Sequence, residues 1–265
     1  MLSRNLKVTL IESDIVWGDK DANLAQLRQD MTNMADDTDL VVLPEQFSTG
    51  ILTSEPERAA EIAERNTGAT MRELHRMAQE HRVAICGSFL ASTAAQIYNR
   101  GFFIEPNGEE TFYDKKHLFT FGNEQALFNP GVTPSPIIRF RGFNIKLVIC
   151  YDLRFPVFCR NVENNYDVLV VVAGWPRSRE YAWRQLLIAR AIENECYVIG
   201  VNRSGTDPRG LDYGEGSSIA VDFKGKVIAQ RMTSPIITAE LNPATLAQFR
   251  EKFPAWRDAD AFRII

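Results

Sequence analysis

A layered α/β fold with mixed sheets is the class this sequence predicts. Three observations carry it: short β-branched apolar runs recur along the 265 residues, helical repeats separate several of them, and tight-turn signals join others. Residues 7–11 form the first buried strand, and residues 22–34 repeat their apolar positions at three- and four-residue spacing, which predicts a helix. A strand follows at 39–43, a second helix at 70–81 and a third strand at 83–89. Residues 102–104 and 111–113 then flank Pro106-Asn107-Gly108, a turn that makes the pair antiparallel. Residues 121–136, rich in Gly and Pro, read as a long loop of the kind that borders functional sites. Strands at 144–150 and 168–173, a helix at 180–194, and strands at 197–201 and 217–221 complete the alternation. Val221 and Val227 flank Asp222-Phe223-Lys224-Gly225 as a last hairpin, so the sheets are mixed.

The chain is large enough for one substantial core, and no linker-like run divides it, so residues 1–265 read as a single domain. A net charge of -4 without a concentrated basic stretch argues against a nucleic-acid partner. The first residues enter a strand pattern without a secretory signal, and no apolar run reaches the roughly 18 residues of a membrane span. The expectation is therefore a cytoplasmic protein with no membrane partner. Its four cysteines, Cys86, Cys150, Cys159 and Cys196, lie apart, which fits free thiols better than a zinc knuckle or a disulfide framework.

Cys150 ends an apolar strand, and the periodicity breaks immediately after it in Tyr151-Asp152-Leu153-Arg154. A strand-to-helix elbow at that point would project the thiol into solvent and aim the Tyr151 backbone N–H at the same space, pairing a nucleophile with an oxyanion donor. Glu45 stands at the exit of the 39–43 strand, where it can act as a base toward a nearby thiol or remain a solvated turn residue. Lys115 follows the hairpin strand; its ammonium can stabilise a thiolate and a developing oxyanion, or serve as a surface charge. Arg154 offers a planar fork to a substrate carboxylate, or locks the elbow through Asp152 or Glu193. Trp175, after a buried strand, is a pocket wall or a core side chain. A Cys-His dyad is the rival arrangement, but His75 and His81 lie on the second predicted helix, and His117 fits a structural role better.

The segments LPEQF, YDKKHLF and ICYDLRFP, in that order, resemble the Glu-Lys-Cys triad of the nitrilase superfamily. The likeness continues through residues 177–183, 189–205 and 213–229, and thus across nearly the whole chain, with wording closest to omega-amidases. It implies Glu45 as general base, Lys115 as catalytic lysine, Cys150 as nucleophile and Glu124 as a second glutamate that orients substrate and lysine. Lys115 rather than Lys116 has the family's spacing to His117, which leaves Lys116 on the opposite face. Ala182 departs from the His that relatives often carry before the tryptophan matching Trp183. The resemblance further implies a four-layer α-β-β-α sandwich that pairs through its outer helices into a homodimer. The implied reaction is hydrolysis of a small carboxylate-bearing amide through a thioester, with no metal or organic cofactor. Candidate substrates are alpha-ketoglutaramate or alpha-ketosuccinamate, with deaminated glutathione or a carbamoyl compound as alternatives. A catalytically silent binding module is the reading from a different class.

Overall fold

The computed structural model describes residues 4–94 and 96–262. In chain order its strands are β1 (Leu6–Ile11), β2 (Leu40–Val42), β3 (Ala84–Ser92), β4 (Ile97–Ile104), β5 (Glu110–Asp114), β6 (Ile137–Phe140), β7 (Phe143–Ile149), β8 (Val168–Ala173), β9 (Tyr197–Asn202), β10 (Gly205–Thr206), β11 (Asp212–Gly214), β12 (Ile219–Val221), β13 (Val227–Gln230) and β14 (Ile236–Leu241). The helices are α1 (Lys20–Thr32), α2 (Pro56–Ile62), α3 (Ala69–His81), α4 (Pro156–Cys159), α5 (Glu180–Asn194) and α6 (Pro243–Lys252).

Two six-stranded sheets face each other, ordered β14-β1-β2-β3-β4-β5 and β13-β12-β9-β8-β7-β6. Each has three parallel strands at its centre and antiparallel strands outside them, because the central strands are joined by crossovers and the outer ones by hairpins or returns. Central β8 is buried along its full length, which is why its sequence is a continuous apolar run with no alternation.

One cluster of buried side chains joins the two sheets: Leu6, Val8, Leu40 and Phe103 from the first, Ile145, Leu147, Val168 and Val170 from the second. Gly101 allows this approach, since a Cβ there would stand 2.8 Å from the Leu147 side chain across the interface. α1 and α3 cover the outer face of the first sheet with Leu24, Leu27, Met31, Met71, Leu74 and Met77. These spacings put one apolar stripe of each helix on the sheet. α1 starts where Asp19 accepts the Ala22 N–H at 2.9 Å, two residues earlier than its apolar periodicity indicates. On the far side α5 packs Trp183, Leu187 and Ala191, and α6 packs Leu246, against the second sheet. Gly200 brings α5 close, because a Cβ there would meet Leu187 at 2.3 Å. The result is the four-layer α-β-β-α sandwich with mixed sheets. Among the described residues no helix is long and apolar enough to cross a membrane.

Candidate active site

The crossover-linked strands of both sheets end at one edge, and the sequence-predicted residues gather there. Glu45 follows β2, and its N–H reaches the Ala173 carbonyl at the end of β8, a bond that bridges the sheets. Its carboxylate is held by three donors: Oε1 accepts from Asn99 Nδ2 at 2.7 Å and Lys115 Nζ at 2.8 Å, and Oε2 accepts the Gly174 N–H at 3.0 Å. Glu45 is thus a buried residue rather than a solvated turn glutamate, and Lys115 is 0% exposed rather than a surface charge.

Lys115 Nζ also bonds Glu124 Oε1 at 2.8 Å. The loop at 121–136 makes this contact by folding into two short 3-10 turns, Thr120–Gly122 and Glu124–Ala126, with the Phe119 N–H holding Glu124 Oε2 at 2.8 Å. A lysine buried between two carboxylates keeps its charge. Burial alone would lower its pKa, but the Glu124 and Glu45 carboxylates together hold it well above its ordinary value. Burial raises the Glu124 pKa, and the nearby Glu45 charge adds to the rise against the opposing pull of Lys115. Lys116 contributes only its N–H here, to the Tyr113 hydroxyl at 3.0 Å.

Cys150 stands at the elbow, with φ at +49°, a left-handed conformation that costs a non-glycine residue of order 1 kcal/mol or more. Asp152 holds the turn in place. Its Oδ2 accepts from the Ile149 N–H at 3.1 Å and the Tyr113 hydroxyl at 2.7 Å, and its Oδ1 from the His117 N–H at 2.9 Å, with His117 Nδ1 at 2.8 Å. His117 also stacks on Phe155 at 3.8 Å, which is the structural role its sequence position suggests.

The thiol does not project into solvent as the elbow reading predicts. Cys150 is 8% exposed and forms part of the floor of a cavity of about 470 Å³, because loops from both sheets rise around the strand ends. Burial pushes the thiol well above its ordinary pKa; Glu45 and Glu124 add to the rise and Lys115 opposes it. At rest the group is therefore a thiol, and an attack needs a base. The Tyr151 N–H belongs to the first turn of the 3-10 segment Cys150–Arg154, where N–H groups have no intrahelical acceptor.

Glu124, Tyr151, Arg154 and Trp175 line the same cavity. Arg154 does not lock the elbow. Its guanidinium lies 4.7 Å above the Trp175 ring, while Asp152 is bonded as described and Glu193 pairs with Arg190 at 2.8 Å. Trp175 is both wall and core, lining the cavity while 5% exposed and packed on Trp183. The sequence reading missed Asn99 and the Gly174 N–H, which orient Glu45, and Arg179, which also lines the cavity. Asn99 is 0% exposed in the fold, but it stands beside the charged Arg100 in the more polar half of β4, so little in the sequence marks its burial.

Comparison with known proteins shows the family of the chain. The sequence profile of the carbon-nitrogen hydrolase family matches residues 7–251. The chain is similar to the omega-amidase YafV of Escherichia coli, at 40% identity over 98% of each chain. It is also similar to the 2-oxoglutaramate amidase of Bacillus subtilis, at 29% identity over 95% of this chain and 96% of that one. Among solved structures it resembles a carbon-nitrogen hydrolase superfamily protein of Xanthomonas campestris that carries an arsenic adduct in its active site. That match has a TM-score of 0.93 and 36% identity, and covers 98% of this chain and 99% of the other.

Proposed function

Because the chain belongs to the carbon-nitrogen hydrolase family and is an enzyme acting on amides, we propose that it is an omega-amidase. Its substrate in this reading is a short dicarboxylic monoamide such as alpha-ketoglutaramate, cleaved through a thioester on Cys150. The observation that carries the reading is the buried Glu45–Lys115–Glu124 cluster beside a cavity that has Cys150 on its floor and Arg154 in its wall.

The substrate amide enters with its carbonyl over the elbow and its far carboxylate toward the Arg154 guanidinium. Cys150 Sγ attacks the amide carbon while Glu45 takes the thiol proton, which avoids a free buried thiolate. Negative charge develops on the carbonyl oxygen, and the Lys115 ammonium and Tyr151 N–H hold it. Glu45 returns the proton to the amide nitrogen, the C–N bond breaks and ammonia leaves. A water then passes a proton to Glu45 and attacks the thioester; the C–S bond breaks, Glu45 returns that proton to the sulfur, and the carboxylic acid leaves and ionises in solvent, with the free thiol restored. Glu124 keeps Lys115 charged and in place through both halves.

Two copies of the chain would pair through α5, where Tyr181 (80% exposed) and Ile192 (52%) lie three turns apart on one face.

Ammonia release from alpha-ketoglutaramate, succinamate, glutamine and deaminated glutathione, by wild type beside Cys150→Ala, tests the reading. Fast release from either of the first two, lost in the variant, is the expected result. Turnover of deaminated glutathione alone moves the protein to another amidase specificity, and undiminished turnover by Cys150→Ala overturns the mechanism.

A further inference from the structure

Three guanidiniums stand around the cavity, and they are not equivalent. Arg209 is tied to Asp207 through Nε at 3.0 Å and Nη2 at 2.7 Å. Among the described residues, Arg154 and Arg179 pair with no carboxylate and their guanidiniums make no hydrogen bond. They lie instead over aromatic rings, Arg154 over Trp175 at 4.7 Å and Arg179 over Phe119 at 4.8 Å. A guanidinium stacked on a ring is held in position while its N–H edge stays free for a planar acceptor.

The acidic side of the cavity shows the complementary feature. Glu124 is the one acidic side chain among the described lining residues, and both its oxygens are taken, by Lys115 and by the Phe119 N–H. An ammonium entering the mouth would therefore meet free cations and no free carboxylate.

We propose that Arg179 is a specificity-determining residue that, together with Arg154, reads the carbon next to the substrate carboxylate and selects 2-oxo acid amides over 2-amino acid amides. The inference rests on the omega-amidase reading and adds to it the basis of its selectivity. A carboxylate and an adjacent 2-oxo group present oxygens in one plane, which two forks can share: Arg154 takes the carboxylate, and Arg179 takes the 2-oxo oxygen. A methylene at that carbon forfeits the second contact. An ammonium there places a charge and three donors against a guanidinium, a repulsive element built into the site.

The test compares kcat/KM for 2-oxoglutaramate, glutaramate and glutamine, which carry an oxo group, a methylene and an ammonium-bearing carbon at that position, in wild type, Arg179→Gln and Arg154→Gln. Arg179 is exposed, so the variant keeps the fold, and thermal melts check that it does. Wild type should favour 2-oxoglutaramate over glutaramate by about tenfold or more, the size of one charge-assisted contact, and over glutamine by a larger factor. Arg179→Gln should collapse the first ratio toward one by raising KM for 2-oxoglutaramate, with kcat held within about threefold and glutaramate nearly unaffected. Arg154→Gln should weaken both carboxylates together. If wild type is active but Arg179→Gln lowers both amides equally or neither, the proposal is overturned while the amidase reading stands. If wild type releases no ammonia from either non-amino substrate, the parent reading fails and this inference falls with it.

Discussion

The floor and the mouth of the cavity are built on opposite principles. On the floor, Lys115 and Glu45 are almost fully buried, and each charge is paired and hydrogen-bonded to a group fixed by a strand end. At the mouth, Arg154 and Arg179 are exposed, stacked on rings and unpaired among the described residues. Buried ions without partners would unfold the chain, whereas exposed ones can wait for a ligand. In the proposed mechanism the chemistry thus sits where the fold's stability depends on it, and substrate choice sits where side chains can change at little cost.

The contrast is broken most severely by Lys115→Met. It removes the proposed oxyanion partner and leaves two buried carboxylates facing each other, so activity should vanish and stability should fall by about 3–5 kcal/mol, read by urea melts. Glu45→Gln keeps the shape and much of the bonding but removes the proposed base; kcat should drop about 10²–10⁴-fold with the melting temperature changed far less than in Lys115→Met. Arg154→Gln at the mouth should raise KM for a carboxylate-bearing amide about tenfold or more while leaving kcat and stability near wild type. A floor variant that spares stability, or a mouth variant that destroys it, would erase the distinction.

A smaller effect sharpens it. Glu124 has a raised pKa because burial disfavours its charge, so it is the carboxylate that takes up a proton early as pH falls, and protonation loosens its hold on Lys115. The acid limb of the kcat/KM profile should therefore lie above the ordinary glutamate value of 4.5, and in Glu124→Gln the residual activity should lose that limb or show it at lower pH. The sign for stability agrees: the Glu124 contribution favours the fold most below its unfolded-state pKa and is lost as pH rises through the folded one.

Most of the floor was legible in the sequence because chain order and strand exits locate it. Runs buried on both faces, such as β2 and β8, announce themselves as continuous apolar segments, and a polar residue that follows one, as Glu45 follows β2, lies at the sheet edge. Edge strands β6 and β14 were harder to read, because alternating exposure dilutes their apolar signal and their pairing depends on long-range returns. The depth of Cys150 was illegible for a related reason: an elbow is local, but the loops that bury it arrive from distant parts of the chain. Arg179 gave no signal at all, since an exposed arginine before a helix looks the same whether it faces bulk water or a cavity.

The central claim is that Cys150, and none of the other buried cysteines, is the nucleophile, and titration with iodoacetamide tests it most directly because the reagent is itself a small amide that fits the cavity. The account predicts that about one equivalent is incorporated at Cys150, located by peptide mass spectrometry, with amidase activity falling in proportion and 2-oxoglutarate slowing both events together. Full alkylation of Cys150 with activity retained would contradict it.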